Sequence, residues 1–310
     1  MILTVTLNTS IDKLYMLEAL TPYTVMRVKQ VHNTAGGKGL NVSRVAAQLG
    51  EPVIAMGFVG GFNGQYFESL ITEPLIRKAF TPIVSETRSC INGWDQSCGR
   101  STEYLEPGAT VTVDDVACFL TDFQRELQQA DVVTISGSLP QGVSAVVYEK
   151  MIHIWNQANK PVLLDTSGDA LRHGAKAKPT LIKPNTDEIG QLLGSVPETW
   201  DELVNAALEL HRSGIPKVVL SLGAEGALVA CDGAVYWGRP PKIEPKNTVG
   251  CGDSMMAGFA VGMMRCLGVT EQLQLAVAVS AANALSMSTG GYNESDLDSL
   301  TPKVEMQRIQ

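Results

Sequence analysis

Short apolar runs alternate along the chain with longer segments in which apolar residues recur every three or four positions. The short runs predict strands at ILTVTL, PVIAMGFVG, ADVVTISG, KPVLLDTSG, TLIKPN, KVVLSLG and GALVAC. The longer segments predict helices over residues 39–49, 144–159, 201–213, 252–266 and 271–288. Nearly continuous apolar strands separated by helices are typical of a parallel sheet covered on both faces. The pattern therefore predicts an α/β fold with right-handed crossovers and ligands beyond the carboxyl ends of the strands.

Two stretches depart from this alternation. Residues 12–34 and 88–113 combine short β-like patterns with polar breaks. We interpret them as a small β lid inserted into the main domain. The predicted core then comprises residues 1–11, 35–87 and 114–310, and the discontinuous lid comprises residues 12–34 and 88–113.

Composition narrows the classes of function. The 310 residues are 45% hydrophobic, enough for a large core, and the formal net charge is -8. No basic field is present to hold a nucleic-acid backbone, so no nucleic-acid partner is expected. Six scattered cysteines have neither zinc-site spacing nor the density of a disulfide scaffold, and the N-terminus MILTVTLNTS resembles no targeting or membrane segment. These features predict a cytoplasmic protein with reduced thiols.

The first glycine cluster is NTAGGKGLNVSRVAAQLG, residues 33–50. Its glycines, among them Gly37, permit a sharp turn before a helix, and Lys38 stands between them with Asn41 one turn later. A lysine flanked by glycines can reach a phosphate, and an asparagine can bind hydroxyl groups. The Walker spacing is absent. The residues alone leave open a glycine-rich helix start with a solvated lysine.

The second cluster is NTVGCGDSMMAGF, residues 247–259. The backbone N–H groups of Gly250, Cys251 and Gly252 can converge as an anion hole at a helix N-terminus. Asp253 alone would be explained as a carboxylate stabilised by the helix dipole. Beside an anion hole, however, it supplies the base that phosphoryl transfer to an alcohol requires. The dipole is expected to keep Asp253 ionised, as a weak base.

Both clusters resemble the two signatures of the ribokinase-like (PfkB-type) sugar kinases, in the expected order. TLNTSID, SGSLP, KPNTDE and SLGAEGAL also match, so that the resemblance covers essentially the whole chain. It implies a ribokinase-like three-layer sandwich with a central, mostly parallel sheet and a small inserted β lid, and it implies ATP and Mg²⁺. TLNTSID, the lysine of GGKGLN and the ETR at residues 86–88 are most similar to the branch of tagatose-6-phosphate kinases and 1-phosphofructokinases.

The resemblance also implies roles for individual residues. Catalysis would involve Asp253 as base, with Gly250, Cys251 and Gly252 as the anion hole. Lys38 and Arg88 would together hold the phosphate already present on the substrate. The full substrate-binding set is Asp12, Gly37, Lys38, Asn41, Arg88 and Ser136. The nucleotide-binding set is Lys183, Asn185, Ser221, Gly223, Gly226 and Asn283, the last in the adenine pocket. Glu188 would bind Mg²⁺ through water.

The activity implied is transfer of the γ-phosphoryl group of ATP to a primary hydroxyl of a ketohexose monophosphate, most closely that of a tagatose-6-phosphate kinase. The alternatives are a 1-phosphofructokinase, another sugar kinase of the same fold, and a non-catalytic sensor of sugar phosphates or nucleotides. A dinucleotide oxidoreductase is disfavoured because no G-x-G-x-x-G follows the first strand.

Two further expectations come from particular features. Cys251 replaces the alanine common in the family, and the helix dipole is expected to lower the pKa of its thiol, which predicts sensitivity to alkylation or oxidation. The exposed edges of the lid invite pairing between subunits, so a homodimer through the lid is a hypothesis.

Overall fold

The structure, a computed structural model, describes residues 1–310 and contains fifteen strands and ten α-helices. The strands are β1 Ile2–Thr6, β2 Ser10–Leu17, β3 Gln30–Gly36, β4 Val53–Gly60, β5 Ile76–Lys78, β6 Thr81–Ile83, β7 Arg88–Asp95, β8 Arg100–Leu105, β9 Val132–Ser136, β10 Val162–Asp165, β11 Leu181–Ile182, β12 Lys217–Ser221, β13 Ala227–Cys231, β14 Ala234–Arg239 and β15 Glu305–Arg308. The helices are α1 Lys38–Gln48, α2 Gly61–Ser69, α3 Val113–Glu126, α4 Val146–Gln157, α5 Gly168–Lys176, α6 Thr186–Leu193, α7 Trp200–Arg212, α8 Cys251–Met264, α9 Val269–Ala284 and α10 Glu294–Leu300.

The larger sheet has eleven strands in the order β15-β14-β13-β12-β11-β10-β9-β1-β4-β5, with β6 also paired to β4. Strands from β5 across to β12 pair in parallel, and β13, β14 and β15 are antiparallel. At its centre, Ile2 of β1 lies opposite Val53 of β4 and Val132 of β9. The predicted mostly parallel sheet is therefore present.

Helices cover both faces of this sheet. Neighbouring residues of β1 face opposite sides, because side chains alternate along a strand. Ile2 belongs to an apolar cluster with residues of α1, α8 and α9, whereas Leu3 belongs to a second cluster with residues of α3, α4 and α7. The result is a three-layer α/β sandwich, in agreement with the predicted fold class.

A second sheet has four strands in the order β3-β2-β7-β8. We call it the lid sheet. Its strands overlap the two segments that the sequence pattern set apart, although β2 begins at Ser10 and β3 ends at Gly36. The stretch after Leu105 contributes no strand to this sheet, and α3 begins at Val113. The division of the chain into core and lid domains stays a prediction.

All five predicted helices are present, with ends displaced by one to four residues. The largest displacement is at the end of α9. This helix stops at Ala284, whose carbonyl accepts hydrogen bonds from the N–H groups of Lys246 and Asn247. The helices α2, α3, α5, α6 and α10 were not predicted. In α2, Gly61 and Gly64 interrupt the apolar periodicity on which a prediction depends.

One turn between the antiparallel strands lies at the edge of the large sheet opposite the carboxyl ends of the parallel strands. Strand β12 runs toward that edge and ends at Ser221, and β13 runs back to Cys231. The turn into β14 consists of Asp232 and Gly233, both with positive φ. It therefore lies at the opposite edge. None of the helices combines the length and apolar character needed to span a membrane.

Candidate active site

The carboxyl ends of neighbouring parallel strands bring polar side chains together. Asp165 ends β10, Lys183 follows β11 and Ser221 ends β12, three strands that lie side by side. A cleft of about 1090 Å³ opens between this edge and the lid sheet. Its lining includes Asp12, Gly37, Lys38, Asn41, Arg88, Asp165, Lys183, Gly250, Gly252 and Asp253.

The N-terminus of α8 points unpaired donors at the cleft. Gly250 precedes the helix with φ of 83°, a left-handed conformation that favours glycine. The N–H groups of Gly252 and Asp253 have no hydrogen-bond acceptor in the chain, whereas that of Cys251 is directed to the Thr248 carbonyl at 3.3 Å. The donors of Gly252 and Asp253 are therefore free at this helix start, whereas that of Cys251 is occupied, and the anion hole itself stays a prediction.

A buried cation reinforces these donors. Lys183 is 5% exposed, and a Cβ atom added to Gly252 would lie 3.3 Å from its Nζ atom. The ammonium group and the helix N-terminus therefore present positive charge to the same point. Such a combination of positive charge and free donors can hold an anion.

Asp253 lies beside these donors and is 6% exposed. Its Oδ2 atom accepts a hydrogen bond of 2.7 Å from Asn41 Nδ2. Burial raises the pKa of Asp253 to about 6, although the charges of Lys38 and Lys183 and the bond from Asn41 favour the ionised form. Asp253 is therefore still ionised at neutral pH, as expected, but burial makes it a stronger base than an ordinary carboxylate.

Asp165 was not predicted as a site residue. It is 1% exposed and lies between two ammonium groups, with Lys38 Nζ 3.4 Å from Oδ1 and Lys183 Nζ 3.3 Å from Oδ2. Burial alone would raise the pKa of Asp165, but these two lysines lower it. The Asp165 charge in turn raises the pKa of Lys38. A lone carboxylate at the end of the apolar run VLLD was the available sequence signal.

Arg88 and Asp12 lie on the lid side of the cleft. The Arg88 guanidinium donates to the carbonyls of Glu106 at 2.9 Å and Asn8 at 3.2 Å. Asp12 accepts a hydrogen bond of 2.6 Å from Ser10, and burial raises its pKa. Lys38 pairs with Asp165 and lines the same cleft as Arg88, so the expected joint contact of Lys38 and Arg88 with a substrate phosphate stays a prediction.

Asn185 and Glu188 form a capping box at the start of α6. Asn185 Oδ1 accepts from the Glu188 N–H at 2.8 Å, and Glu188 Oε2 accepts from the Asn185 N–H at 2.9 Å. Glu188 Oε1 has no partner in the chain, so one carboxylate oxygen is available. No group of three or more His, Cys, Asp or Glu residues could hold a metal ion by itself.

Outside the cleft lining, the carboxyl edge of the sheet carries Ser221, Gly223 and Gly226. Ser221 pairs with Asn185 in an isolated parallel bridge, which places the ends of β11 and β12 together. Gly226 has φ of 82°, and a Cβ atom there would lie 2.0 Å from the Gly238 carbonyl oxygen. The close approach that requires a glycine at this position is thus to the chain's own backbone.

Three predicted site residues have different surroundings from those expected. Asn283 is fully buried, donates to the Val249 carbonyl at 3.0 Å and to Cys251 Sγ at 3.4 Å, and does not line the cleft. Asn283 therefore does not line an adenine pocket, contrary to the expectation. It holds the loop before α8 instead. Ser136 is also fully buried, and Gly137 and Ser138 line the cleft instead.

Cys251 is the third predicted site residue whose surroundings differ from those expected. Burial raises the pKa of its thiol, although the hydrogen bond from Asn283 acts in the opposite direction. The expectation that the helix dipole would lower this pKa was wrong. Desolvation depends on how α9 packs against the start of α8, which the local motif does not reveal.

A network behind Asn41 was also missed. Arg44, three residues later on α1, donates to Asn41 Oδ1, to the Ala35 carbonyl and to the Thr289 carbonyl. Gly290, with φ of 66°, packs against Asn41: a Cβ atom there would lie 2.8 Å from its Cα. The spacing of Asn41 and Arg44 on one helical face was the signal in the sequence.

Comparison with known proteins places this site in a family. A family model described as pfkB family carbohydrate kinase matches residues 5–296. The chain belongs to the pfkB family of carbohydrate kinases. It is therefore a phosphotransferase that acts on an alcohol group, and ATP is the phosphoryl donor that the kinase family implies. The predicted family resemblance is confirmed.

Individual proteins are similar to this chain over all or nearly all of its length. The chain is 38% identical over 312 residues to the tagatose-6-phosphate kinase of Staphylococcus epidermidis, covering 100% of both proteins. It is similar to phosphofructokinase-2 from Escherichia coli, with a TM-score of 0.91, 26% identity and coverage of 97% and 98% of the two chains. A possible 1-phosphofructokinase from Thermotoga maritima gives a TM-score of 0.87 at 25% identity, with coverage of 100% and 99%. The ribokinase-like fold is confirmed.

Proposed function

We propose that this pfkB family kinase transfers the γ-phosphoryl group of ATP to a primary hydroxyl of a ketohexose monophosphate, and that its acceptor is tagatose 6-phosphate. The observation that carries the reaction is the position of Asp253, a buried carboxylate bound by Asn41 and adjacent to unpaired helix N–H groups. The full-length similarity to the tagatose-6-phosphate kinase supports the choice of acceptor.

Asp253 is the general base of this proposal. With a pKa of about 6, its carboxylate is ionised at neutral pH and basic enough to take the proton of an attacking hydroxyl. Oδ2 is held by Asn41, and Oδ1 has no hydrogen-bond donor in the chain. Oδ1 therefore accepts the proton as the sugar oxygen bonds to phosphorus.

Positive groups around Asp253 stabilise the phosphoryl group in transfer. The N–H groups of Gly252 and Asp253 and the ammonium of Lys183 provide donors at a fixed position. Lys38, oriented by Asp165, adds a second cation. Since these groups are already in place before reaction, little reorganisation is needed as charge develops.

The sugar phosphate is assigned to the lid side of the cleft. We assign Asp12 and Asn41 to sugar hydroxyls, with Gly37 beside them at the start of α1, and Arg88 to the phosphate already present. Arg88 lines the cleft and uses two of its five guanidinium N–H groups on the carbonyls of Glu106 and Asn8, which leaves donors for an acceptor from outside the chain. Closure of the lid would exclude water, as protection of an activated phosphoryl group requires.

The nucleotide is assigned to the edge formed by Lys183, Asn185, Ser221, Gly223 and Gly226. Mg²⁺ usually binds one or two carboxylates and keeps several waters. Glu188, with one free carboxylate oxygen, fits such contact through water. When bound to the nucleotide, the ion would neutralise phosphate charge.

The acceptor is tested by comparing kcat/KM for tagatose 6-phosphate, fructose 1-phosphate and fructose 6-phosphate in an ADP-release assay with Mg²⁺. We expect tagatose 6-phosphate to give the highest value. A higher value for fructose 1-phosphate would assign the chain to the 1-phosphofructokinases, which the structural similarity also accommodates.

The base is tested by Asp253→Asn. We expect kcat to fall by about 10²- to 10⁴-fold, the usual contribution of a general base, while sugar-phosphate binding measured by calorimetry persists. Retained turnover would remove Asp253 as base. Tight binding without turnover by the unmodified protein would favour the sensor alternative.

A homodimer through the lid and a cytoplasmic location complete the proposal. The edge strands of the lid sheet carry exposed Val31, Tyr104 and Leu105. Such edges favour pairing with a second copy. The use of ATP and six free cysteines are consistent with the cytoplasm. Sedimentation of wild type and of a Tyr104→Lys, Leu105→Lys variant tests the dimer, which the charges should dissociate.

A further inference from the structure

Arg44 has an unusual set of hydrogen-bond partners for a half-buried cation. All three hydrogen bonds go to neutral oxygens: the carbonyls of Ala35 and Thr289 and the side-chain oxygen of Asn41. Burial lowers the pKa of Arg44, although the more distant charges of Glu73, Asp12 and Asp253 oppose this effect. The guanidinium is therefore fixed by three oxygens and pairs with no carboxylate.

The partner of greatest interest is Asn41. An asparagine amide has a donor end and an acceptor end, and its orientation follows from its neighbours. The guanidinium can only donate, so it holds Oδ1 of Asn41. Nδ2 then faces the carboxylate of Asp253 at 2.7 Å. A rotated amide would oppose Nδ2 to Arg44 and Oδ1 to the carboxylate, and both contacts would be repulsive.

We propose that Arg44 is a positioning residue for phosphoryl transfer, which fixes the Asn41 amide with its N–H donor toward Asp253. Arg44 touches neither the substrate nor the reacting atoms. The proposal rests on the proposed role of Asp253 as base. It adds that the protonation of this base depends on a residue that reaches it through a neutral amide.

This role of Arg44 affects the acid limb of the pH–activity profile, where activity falls as Asp253 becomes protonated. The Asn41 donor favours the ionised carboxylate, as do the charges of Lys38 from α1 and Lys183 after β11, whereas Asp165 of β10 disfavours it. If Arg44 is lost, Asn41 can rotate and offer its oxygen, which only a protonated Asp253 can bind. The base would then lose its proton at higher pH.

The test compares pH profiles of kcat/KM for tagatose 6-phosphate between pH 5 and 9. In Arg44→Met we expect the acid limb to move upward by about 0.5 to 1 pH unit, with activity partly recovered at pH 8.5. The sugar phosphate titrates in the same range, but its contribution is identical in every variant. Arg44→Lys, which retains the charge and can hold one acceptor, should shift less.

Arg265→Met is the matched control. Arg265 also binds a carbonyl of the α1 region, that of Leu49 at 2.6 Å, but it pairs with Glu51 and not with Asn41. Its profile should keep the wild-type acid limb. A double-mutant cycle adds Asn41→Ala: once the amide is gone, Arg44→Met should cause only the smaller shift that comes from the loss of the Arg44 charge. Equal loss at every pH, or additive shifts in the cycle, would overturn the proposal.

A measurement without turnover separates this proposal from the catalytic one. The carboxyl ¹³C signal of Asp253, assigned with Asp253→Asn, reports its pKa directly. A higher pKa in Arg44→Met than in wild type, with a smaller rise in Arg44→Lys, supports positioning even if Asp253 is not the base. An unchanged pKa in Arg44→Met overturns it. If Arg44→Met does not fold, Arg44→Gln replaces it, because a glutamine amide can donate or accept and so does not fix the orientation of Asn41, and the same rise is expected.

Discussion

The side-chain nitrogen of Asn41 lies 2.7 Å from Asp253 Oδ2, although 212 positions separate the two residues in the chain. The contact joins the starts of α1 and α8, one from each glycine-rich motif. Because both helices begin at the same cleft, the acid and its hydrogen-bond donor face the same space. The two motifs therefore form one site.

Asp253 should make the protein less stable at neutral pH. Burial raises its pKa from 3.8 to about 6, so the folded state binds the proton more tightly than the unfolded state does. Its contribution to stability is fully present below about pH 4 and is lost as the pH rises through 6. We expect Asp253→Asn to raise the free energy of unfolding at pH 8, on the order of 2–3 kcal/mol.

Urea unfolding at pH 5 and pH 8 measures this effect. The gain from Asp253→Asn should be larger at pH 8, where the replaced carboxylate is ionised. An equal gain at both values would mean that burial does not raise this pKa.

Asp165 should be required for folding stability because it neutralises two lysines. Asp165→Asn leaves the ammonium of Lys183, with a side chain only 6% exposed, without its carboxylate. Breaking a buried pair in this way costs about 3–5 kcal/mol. Urea unfolding at pH 7 measures the loss. The control Asp169→Asn removes an exposed carboxylate that pairs with Arg172 and should leave the unfolding curve unchanged. Similar effects of the two variants would contradict the argument.

Gly290→Ala should reduce turnover through Asn41. Its positive φ disfavours any side chain, and the new Cβ would lie 2.8 Å from Asn41 Cα and 2.9 Å from its Cβ. Gly194→Ala provides the same left-handed strain, φ of 87°, with nothing within 4 Å. Both should lose about 1 kcal/mol of stability from strain. Only Gly290→Ala should lower kcat, by about tenfold or more, since small displacements of positioning groups are costly. Equal kcat values would separate Gly290 from the site.

Cys251 should react slowly with alkylating reagents. Burial raises the pKa of its thiol, and the thiolate is the reactive form. With limiting iodoacetamide at pH 7.4, mass spectrometry should find less label on Cys251 than on the exposed Cys98, Cys118 and Cys266. Preferential labelling of Cys251 would restore the original expectation of a reactive thiol.

The sequence predicted those parts of the site that depend on local chain geometry. Asp253 and Asn41 were identified because glycines, a helix start and a polar side chain stand within a few residues of each other. Asp165 was missed because its role arises from two lysines on other elements. A single carboxylate after an apolar strand gives no sign of which strands will be its neighbours.

Asn283 shows a different limit. A polar residue in an alanine-rich helix gives the same pattern whether it binds a ligand or another part of the chain. Its partners, among them the Gly290 N–H at 3.0 Å, come from loops whose path the sequence does not predict. Similarly, the helix dipole at Cys251 and Asp253 can be expected from the local sequence, but the burial that raises the pKa of both groups depends on tertiary packing.

The tight turn at Asp232 and Gly233 has a practical consequence. It faces away from the carboxyl edge that carries Asp165 and Lys183, and both of its residues are exposed. Exposed loop tips are the positions that best tolerate inserted sequence. A fluorescent reporter or an affinity handle introduced there would leave the cleft accessible, which would make the protein suitable for immobilised assays and single-molecule work.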